Sequence, residues 1–229
     1  MKKFKLTSEF IVDISGVKLF RIKALIEFGN VKAGDLGGYI EKEENLSHMG
    51  NAWVSGNAQV SGDARVSGNA QVSGNAWVFG DAQVFGNARV YGNAWVYGDA
   101  RVSGNARVYG DARVCGNALV CGNAWVYDNA WVYGDAQVSG NARVSGDAQV
   151  FGDARVSGDK DYAYAHGFGS CNRTTTFFRL KDGDVGVRCG CFYGTLAQFR
   201  DNVCETHGET KKAQEYLMLA DLMDFRFKN

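Results

Sequence analysis

Several common sources of function are missing from this chain. Lys and Arg number 25 and Asp and Glu number 25, so the formal net charge is zero. No block of like charge stands out either, which disfavours an electrostatic grip on nucleic acid or a membrane surface. No apolar run approaches the ~20 residues of a membrane helix. The opening MKKFKLTSEFIVDISGVKLF is basic at its start, but Asp13 and Ser15 break its apolar stretch and no small-residue cleavage site follows, so it does not read as a signal peptide. Cytoplasmic residence is therefore expected, with the six cysteines (115, 121, 171, 189, 191 and 204) as reduced thiols. No GxxxxGK loop, no GxGxxG after a strand and no HExxH is present. Residues 48–158 contain no Lys, no Thr and no His after His48.

What the chain does have is a metre. Eighteen valines recur at intervals of six from Val54 to Val156, without an insertion or a skipped beat, inside the unit V-x-G-[N/D]-A-x. A fixed short period means stacked identical units, each burying its apolar side against its neighbours, which is a solenoid. Side chains alternate along a strand, so Val and the Ala two residues before it share the inward side. The residues flanking Val point out. Gly and Asn or Asp follow where the chain must turn, and these types tolerate left-handed backbone conformations. Three strand-and-turn units close a triangular coil of eighteen residues, which makes six coils and, at ~4.8 Å per strand, a prism of roughly 29 Å. Small Ala and medium Val leave its interior no room for a ligand.

The hexad pattern resembles the left-handed parallel β-helix of hexapeptide-repeat proteins, and the left hand is implied by that resemblance. The segment FRIKALIEFGNVKAGDLGGYIEKEENLS, Phe20 to Ser47, followed by GNAWV, is similar to the opening of the YdcK-type repeat family. The resemblance covers about the first 160 residues and implies a protein of bacteria or their phages, in the latter case resident in the host cytoplasm. The expected fold class is mainly β: a left-handed triangular parallel β-helix of about six regular coils. Residues 1–47 form an N-terminal β cap with a degenerate first coil, 48–159 the helix and 160–229 a C-terminal α+β unit.

Residues eighteen apart stack, so outward positions sort into rows. On one face the position before Val reads Gln59, Trp77, Trp95, Arg113, Trp131, Gln149, and the position after it Ser61, Phe79, Tyr97, Cys115, Tyr133, Phe151. A second face reads Trp53, Gln71, Arg89, Arg107, Trp125, Arg143 with Ser55, Ser73, Tyr91, Tyr109, Tyr127, Ser145. The third reads Arg65, Gln83, Arg101, Leu119, Gln137, Arg155 with Ser67, Phe85, Ser103, Cys121, Ser139, Ser157, and it resembles a solvent side. Stacked rings stabilise neighbouring strands by ~0.2 to 1 kcal/mol per pair. That does not explain a third face nearly free of aromatics. Contiguous apolar patches usually mark association, and Trp, Tyr and Arg are enriched at hot spots. The expected partner-binding residues are thus Trp77, Phe79, Trp95, Tyr97, Arg113, Trp131, Tyr133, Phe151, Tyr91, Tyr109, Tyr127 and Trp125, engaging a protein partner or a second copy. Trimers are common among hexapeptide-repeat proteins, so a trimer is the assembly the resemblance implies. One corner row is Asp63, Asp81, Asp99, Asn117, Asp135, Asp153, where stacked carboxylates need either arginines such as Arg65, Arg101 and Arg155, or cations, to screen them.

At the N-terminus, residues 2–28 alternate in β-like runs around Ser15-Gly16, and Ile40 and Leu46 fall six apart as the degenerate coil. After Gly158 the rhythm stops. Thr174 to Leu180 and Val185 to Cys191 predict a hairpin around Lys181-Asp182-Gly183-Asp184. A helix is predicted after Thr195, where Thr195 and Gln198 form a capping box, with Gly208 ending it. A last helix from about Thr210 places Tyr216, Leu219, Ala220, Met223 and Phe227 on one stripe. The unit reads ββαα.

Acyltransferases of the hexapeptide class, by resemblance, use a histidine base on the coils and a loop thrown out between hexads. Neither is present, since His48 sits at the prism mouth, and a base must reach the proton it removes. Cys171, Cys189, Cys191 and Cys204 with His166 and His207 lack the paired knuckles of a zinc site, Cys189 and Cys191 reading instead as core hydrophobes on one strand face. No metal or cofactor is expected. A flat β-helix that binds ice requires threonine rows, which are absent. The expectation is a non-catalytic binding or assembly module. The alternatives are an acyltransferase and a nucleotide sponge in which Tyr109, Arg107 and Arg113 would hold a base and phosphate between subunits.

Overall fold

Side-chain alternation and positive-φ turns generate the whole repeat region. In the computed structural model, residues 2–169 and 173–228 are described. Each hexad contributes one two-residue strand, from β4 (Trp53–Val54) to β21 (Arg155–Val156). The alanines and valines of these hexads are almost entirely removed from water, none more than 1% exposed, which at ~25 cal/mol per Å² of apolar surface supplies the main driving force. Strands eighteen residues apart pair in parallel register, for example Trp95 with Trp77 and with Arg113. Three sheets result, so the circuit is three-sided.

The turns show why glycine recurs. Gly110 holds φ +70, and a Cβ built there would lie 2.9 Å from the backbone N of Asp128 one coil on. The register leaves no room for a side chain. Asp128 occupies the corresponding place in its own hexad with φ 57, the one non-glycine at positive φ among the described residues, and its Oδ2 accepts a hydrogen bond from the Gly146 N–H. Aspartate is among the few residues that visit this region, because its short polar side chain bonds locally.

The N-terminal cap extends one face. A hairpin of β1 (Phe4–Val12) and β2 (Lys18–Ala24) pairs antiparallel with β3 (Leu36–Ile40), and β3 lies parallel on Gln59–Val60, giving a nine-stranded sheet. Ile40 stacks on Val60 and Leu46 bridges to Val66, the degenerate first coil. The prism therefore has six regular circuits and one irregular one. Carbonyls at its open mouth are met by side chains: Asn45 Nδ2 donates to Gly62 O (3.0 Å) and Ala64 O (2.9 Å), and Lys3 Nζ donates to Ala52 O (2.8 Å). Buried backbone acceptors left unpaired would be costly, and an uncovered coil end would invite pairing with another chain.

At the far end the rhythm gives way to an antiparallel sheet of β22 (Tyr162–Phe168), β23 (Arg173–Arg179), β24 (Val185–Cys189) and β25 (Phe192–Thr195), followed by α1 (Leu196–His207) and α2 (Lys211–Lys228). The unit is ββββαα rather than ββαα. The rings of Tyr162–Phe168 alternate with Ala and Gly, which are depleted in strands, so the run lacks the β-branched content of the hairpin that follows, and β25 has four residues before it passes straight into α1. The expected cap is present: the Thr195 hydroxyl accepts from the Gln198 N–H, Gln198 Oε1 accepts from the Thr195 N–H, and Gly208 ends α1. The buried stripe of α2 is Ala213, Tyr216, Ala220, Met223 and Phe227, with Leu219 only half-buried. The sheet covers the last coil: the Gln149 N–H donates to Thr176 Oγ1 (2.9 Å) and the Lys181 N–H to Asp153 O (3.1 Å).

Candidate functional site

With Ala and Val committed inward, whatever function the prism has must be carried by the flanking residues, and the structure stacks them. On the first face Trp77 lies on Trp95 with ring centroids 5.1 Å apart and planes 6° from parallel. The Arg113 guanidinium is held between Trp95 (5.2 Å) and Trp131 (4.9 Å). In the adjacent row Phe79 stacks on Tyr97 at 5.0 Å and Tyr133 on Phe151 at 4.4 Å, while Cys115 takes the rung between Tyr97 and Tyr133. Burial, joined by a hydrogen bond with Cys115, pushes the Tyr97 hydroxyl up to about 12. Tyr193 of β25 closes this row edge-on to Phe151 at 4.6 Å.

On the second face Tyr91, Tyr109 and Tyr127 form one stack with spacings of 4.9 and 5.1 Å, and Trp125 is held between Arg107 (4.9 Å) and Arg143 (5.0 Å). The third face carries a single ring, Phe85, 38% exposed. All twelve expected partner-binding residues thus fall into two ladders on two faces. Most are half-buried by their own neighbours and present ring edges outward; Trp131, at 37% exposed, is the most open of them. Trp53 does not join this surface. It is buried at 7% exposure beneath Phe28, edge-on at 5.4 Å.

The corner rows differ in how they are held. Asn69, Asn87, Asn105, Asn123 and Asn141 pass hydrogen bonds of 3.0–3.1 Å from amide to amide. In the aspartate row Asp63 pairs with Lys42 at 2.7 Å rather than with Arg65, and that ammonium holds its carboxyl below the usual range. Arg155 donates to the backbone carbonyls of Asp135, Asp153 and Ala154 instead of screening carboxylates.

Histidine chemistry finds no support in the geometry. His48 stacks on Phe4 at 4.4 Å, and its Nδ1 accepts the Lys3 backbone N–H at 3.2 Å, so the nitrogen that could act as a base is committed to the cap. His166 Nδ1 faces both Thr174 Oγ1 (2.9 Å) and Asp147 Oδ2 (4.0 Å). Both contacts use the same ring nitrogen, so no relay from carboxylate through imidazole to hydroxyl exists. Cys171 lies outside the described residues. Among those described, no three His, Cys, Asp or Glu residues converge as metal ligands. Cys191 is exposed in the turn after β24 rather than sharing a buried strand face with Cys189. The sponge constellation is also divided: Tyr109 and Arg107 belong to the second face, whereas Arg113 is enclosed by indoles on the first.

Two surfaces escaped the sequence. The hairpin tip, with Ile14 83% exposed, overhangs the first face and frames a cleft of about 340 Å³ with Val17, Trp77, Phe79 and Trp95. On α2, Met218, Leu222 and Phe225 are exposed on the side away from the core. Their i, i+4, i+7 spacing was legible, but the stronger stripe opposite absorbed the pattern. No helix among the described residues is long and apolar enough to cross a membrane.

A family model described as the YdcK beta solenoid repeat matches residues 58–74, 70–84, 82–98, 100–116, 112–128 and 136–150. These matches all fall within the repeat region, which is similar to that family. No curated protein matches the chain.

Proposed function

We propose that this YdcK-type solenoid is a non-catalytic, cytosolic binding or assembly module whose first face docks on protein, a second copy of the chain being the simplest occupant and a host or viral protein the other. One observation carries this: bulky rings and an arginine fill two adjacent rows of a single sheet that runs on into the N-terminal hairpin, while the third face has one ring. A preformed sheet with stacked side chains loses little conformational entropy on binding, and exposed indole edges with a tethered arginine are the chemistry of interface hot spots.

The test compares Trp131→Lys with Phe85→Lys, two sites of nearly equal exposure (37% and 38%) on different faces. Sedimentation velocity reads self-association, and affinity capture from the source cell reads a partner. Trp131→Lys is expected to weaken association at least tenfold and Phe85→Lys to leave it unchanged. Equal sensitivity of the two, or none, rules out the first face.

A further inference from the structure

A long groove lies on the second face, away from the proposed docking surface, and the formal charge along it is of one sign. It encloses about 630 Å³, with Gln71, Arg89 and Arg107 along its floor and Asn51, Asn69, Asn87 and Asn105 along one edge. A smaller continuation of about 220 Å³ adds Ser73 and Tyr91. No carboxylate lines either space. The edge is asparagine where another corner of the same prism carries aspartate, so the arginines here have no acidic row beside them.

Arg89 and Arg107 are in-register partners on neighbouring strands. Like charges directly opposite one another are destabilising. Arg107 is shared with the Trp125 ring, but the Arg89 guanidinium makes no ion pair or side-chain hydrogen bond among the described residues, its backbone N–H alone donating to Ala106 O (2.9 Å). Two adjacent cations without a counter-charge, in a groove whose other lining is mainly amides and hydroxyls together with Val31 and Trp53, form a site for an anion, and guanidinium matches phosphate geometry in a bidentate way.

The neighbouring row supplies a second requirement. Tyr91 is the first rung of the Tyr91, Tyr109, Tyr127 stack, and the residue eighteen before it is Ser73, whose hydroxymethyl group is too small to cover the ring. The stack therefore ends on an open aromatic face, beside Gln71 and Arg89. We infer that this groove binds a nucleotide: a planar heteroaromatic base laid on Tyr91 as an additional rung, with its phosphate between Arg89 and Arg107.

Isothermal titration of the purified protein at low salt with AMP, GMP, CMP and UMP, and separately with adenosine and inorganic phosphate, tests this. At least one nucleotide is expected to bind saturably, with adenosine and phosphate each at least tenfold weaker than AMP if AMP is the ligand. Arg89→Gln with Arg107→Gln is expected to lower the affinity at least tenfold. Ser73→Tyr, which adds the missing rung in a row that already holds three tyrosines, is expected to abolish binding with the circular dichroism preserved. Saturable binding by none of the four nucleotides, or binding indifferent to both the arginine pair and Ser73→Tyr, overturns the assignment.

Discussion

Trp77 rests flat on Trp95, eighteen residues further along the chain and one strand away. Trp95 also takes the edge of Phe79 at 6.2 Å and one side of the Arg113 guanidinium. Aromatic pairs contribute ~0.5 to 1.5 kcal/mol each beyond area burial, and a partly exposed cation–π contact ~0.5 to 1. Trp95→Ser is therefore expected to lower the unfolding free energy by about 2 to 3 kcal/mol, read by urea denaturation. A change below about 0.5 kcal/mol would mean that the ladder contributes nothing to the fold.

The glycine turns are a separate constraint. Gly110→Ala places a methyl group 2.9 Å from the Asp128 backbone N at a φ of +70. Alanine is disfavoured there by ~1 to 2 kcal/mol before the clash is counted. The expected loss is at least about 2 kcal/mol by the same denaturation measurement, whereas Gly16→Ala, at a hairpin tip with no atom within 4 Å of the added carbon, should cost only the φ term.

Much of this was legible because the valine period leaves one solution. A six-residue beat with Ala two before Val assigns inward and outward positions without ambiguity, and eighteen-residue stacking then places Trp77 on Trp95 and Tyr109 on Tyr127. What the period could not convey is which partners the outward residues choose. Arg113 turns to indoles, Asp63 to a lysine from the cap, and Trp53 under Phe28, because each choice depends on an element outside the repeats or on ring geometry. Outside the metre, local signals decided the outcome. Thr195 and Gln198 announce α1 by a reciprocal cap. Tyr162–Phe168, with glycine and alanine between its rings, joins a sheet through pairing with β23 that no local pattern reveals.

Stability should rise and then fall with alkaline pH. Burial holds the Lys3 ammonium down to about 8 from 10.5, so between these values the unfolded chain carries a proton that the folded one has released, and stability increases with pH. Tyr97 acts in the opposite sense: its hydroxyl, pushed from 10.0 up to about 12, stays protonated in the folded chain while the unfolded one ionises, so stability falls as pH climbs from 10 towards 12. Denaturation midpoints across pH 7 to 12 are expected to pass through a maximum near pH 10. Lys3→Met should remove the rising limb and keep the falling one; a rising limb that survives in Lys3→Met contradicts the assignment.

The vertical alignment of rows is the claim on which both proposed surfaces rest, and removing one circuit tests it most directly. Deleting residues 99–116 takes out eighteen residues, the rung of Arg113 and Cys115 included, and brings Trp131 onto Trp95 and Tyr133 onto Tyr97. Deleting residues 99–104 instead sets Leu119 on Trp95. The measurement is the tryptophan exciton signal in circular dichroism. The eighteen-residue deletion should fold cooperatively with a stronger couplet than the parent, from three indoles in one stack, and the six-residue deletion should show no such gain. A couplet that weakens in the first, or strengthens equally in both, would show that residues eighteen apart do not lie above one another.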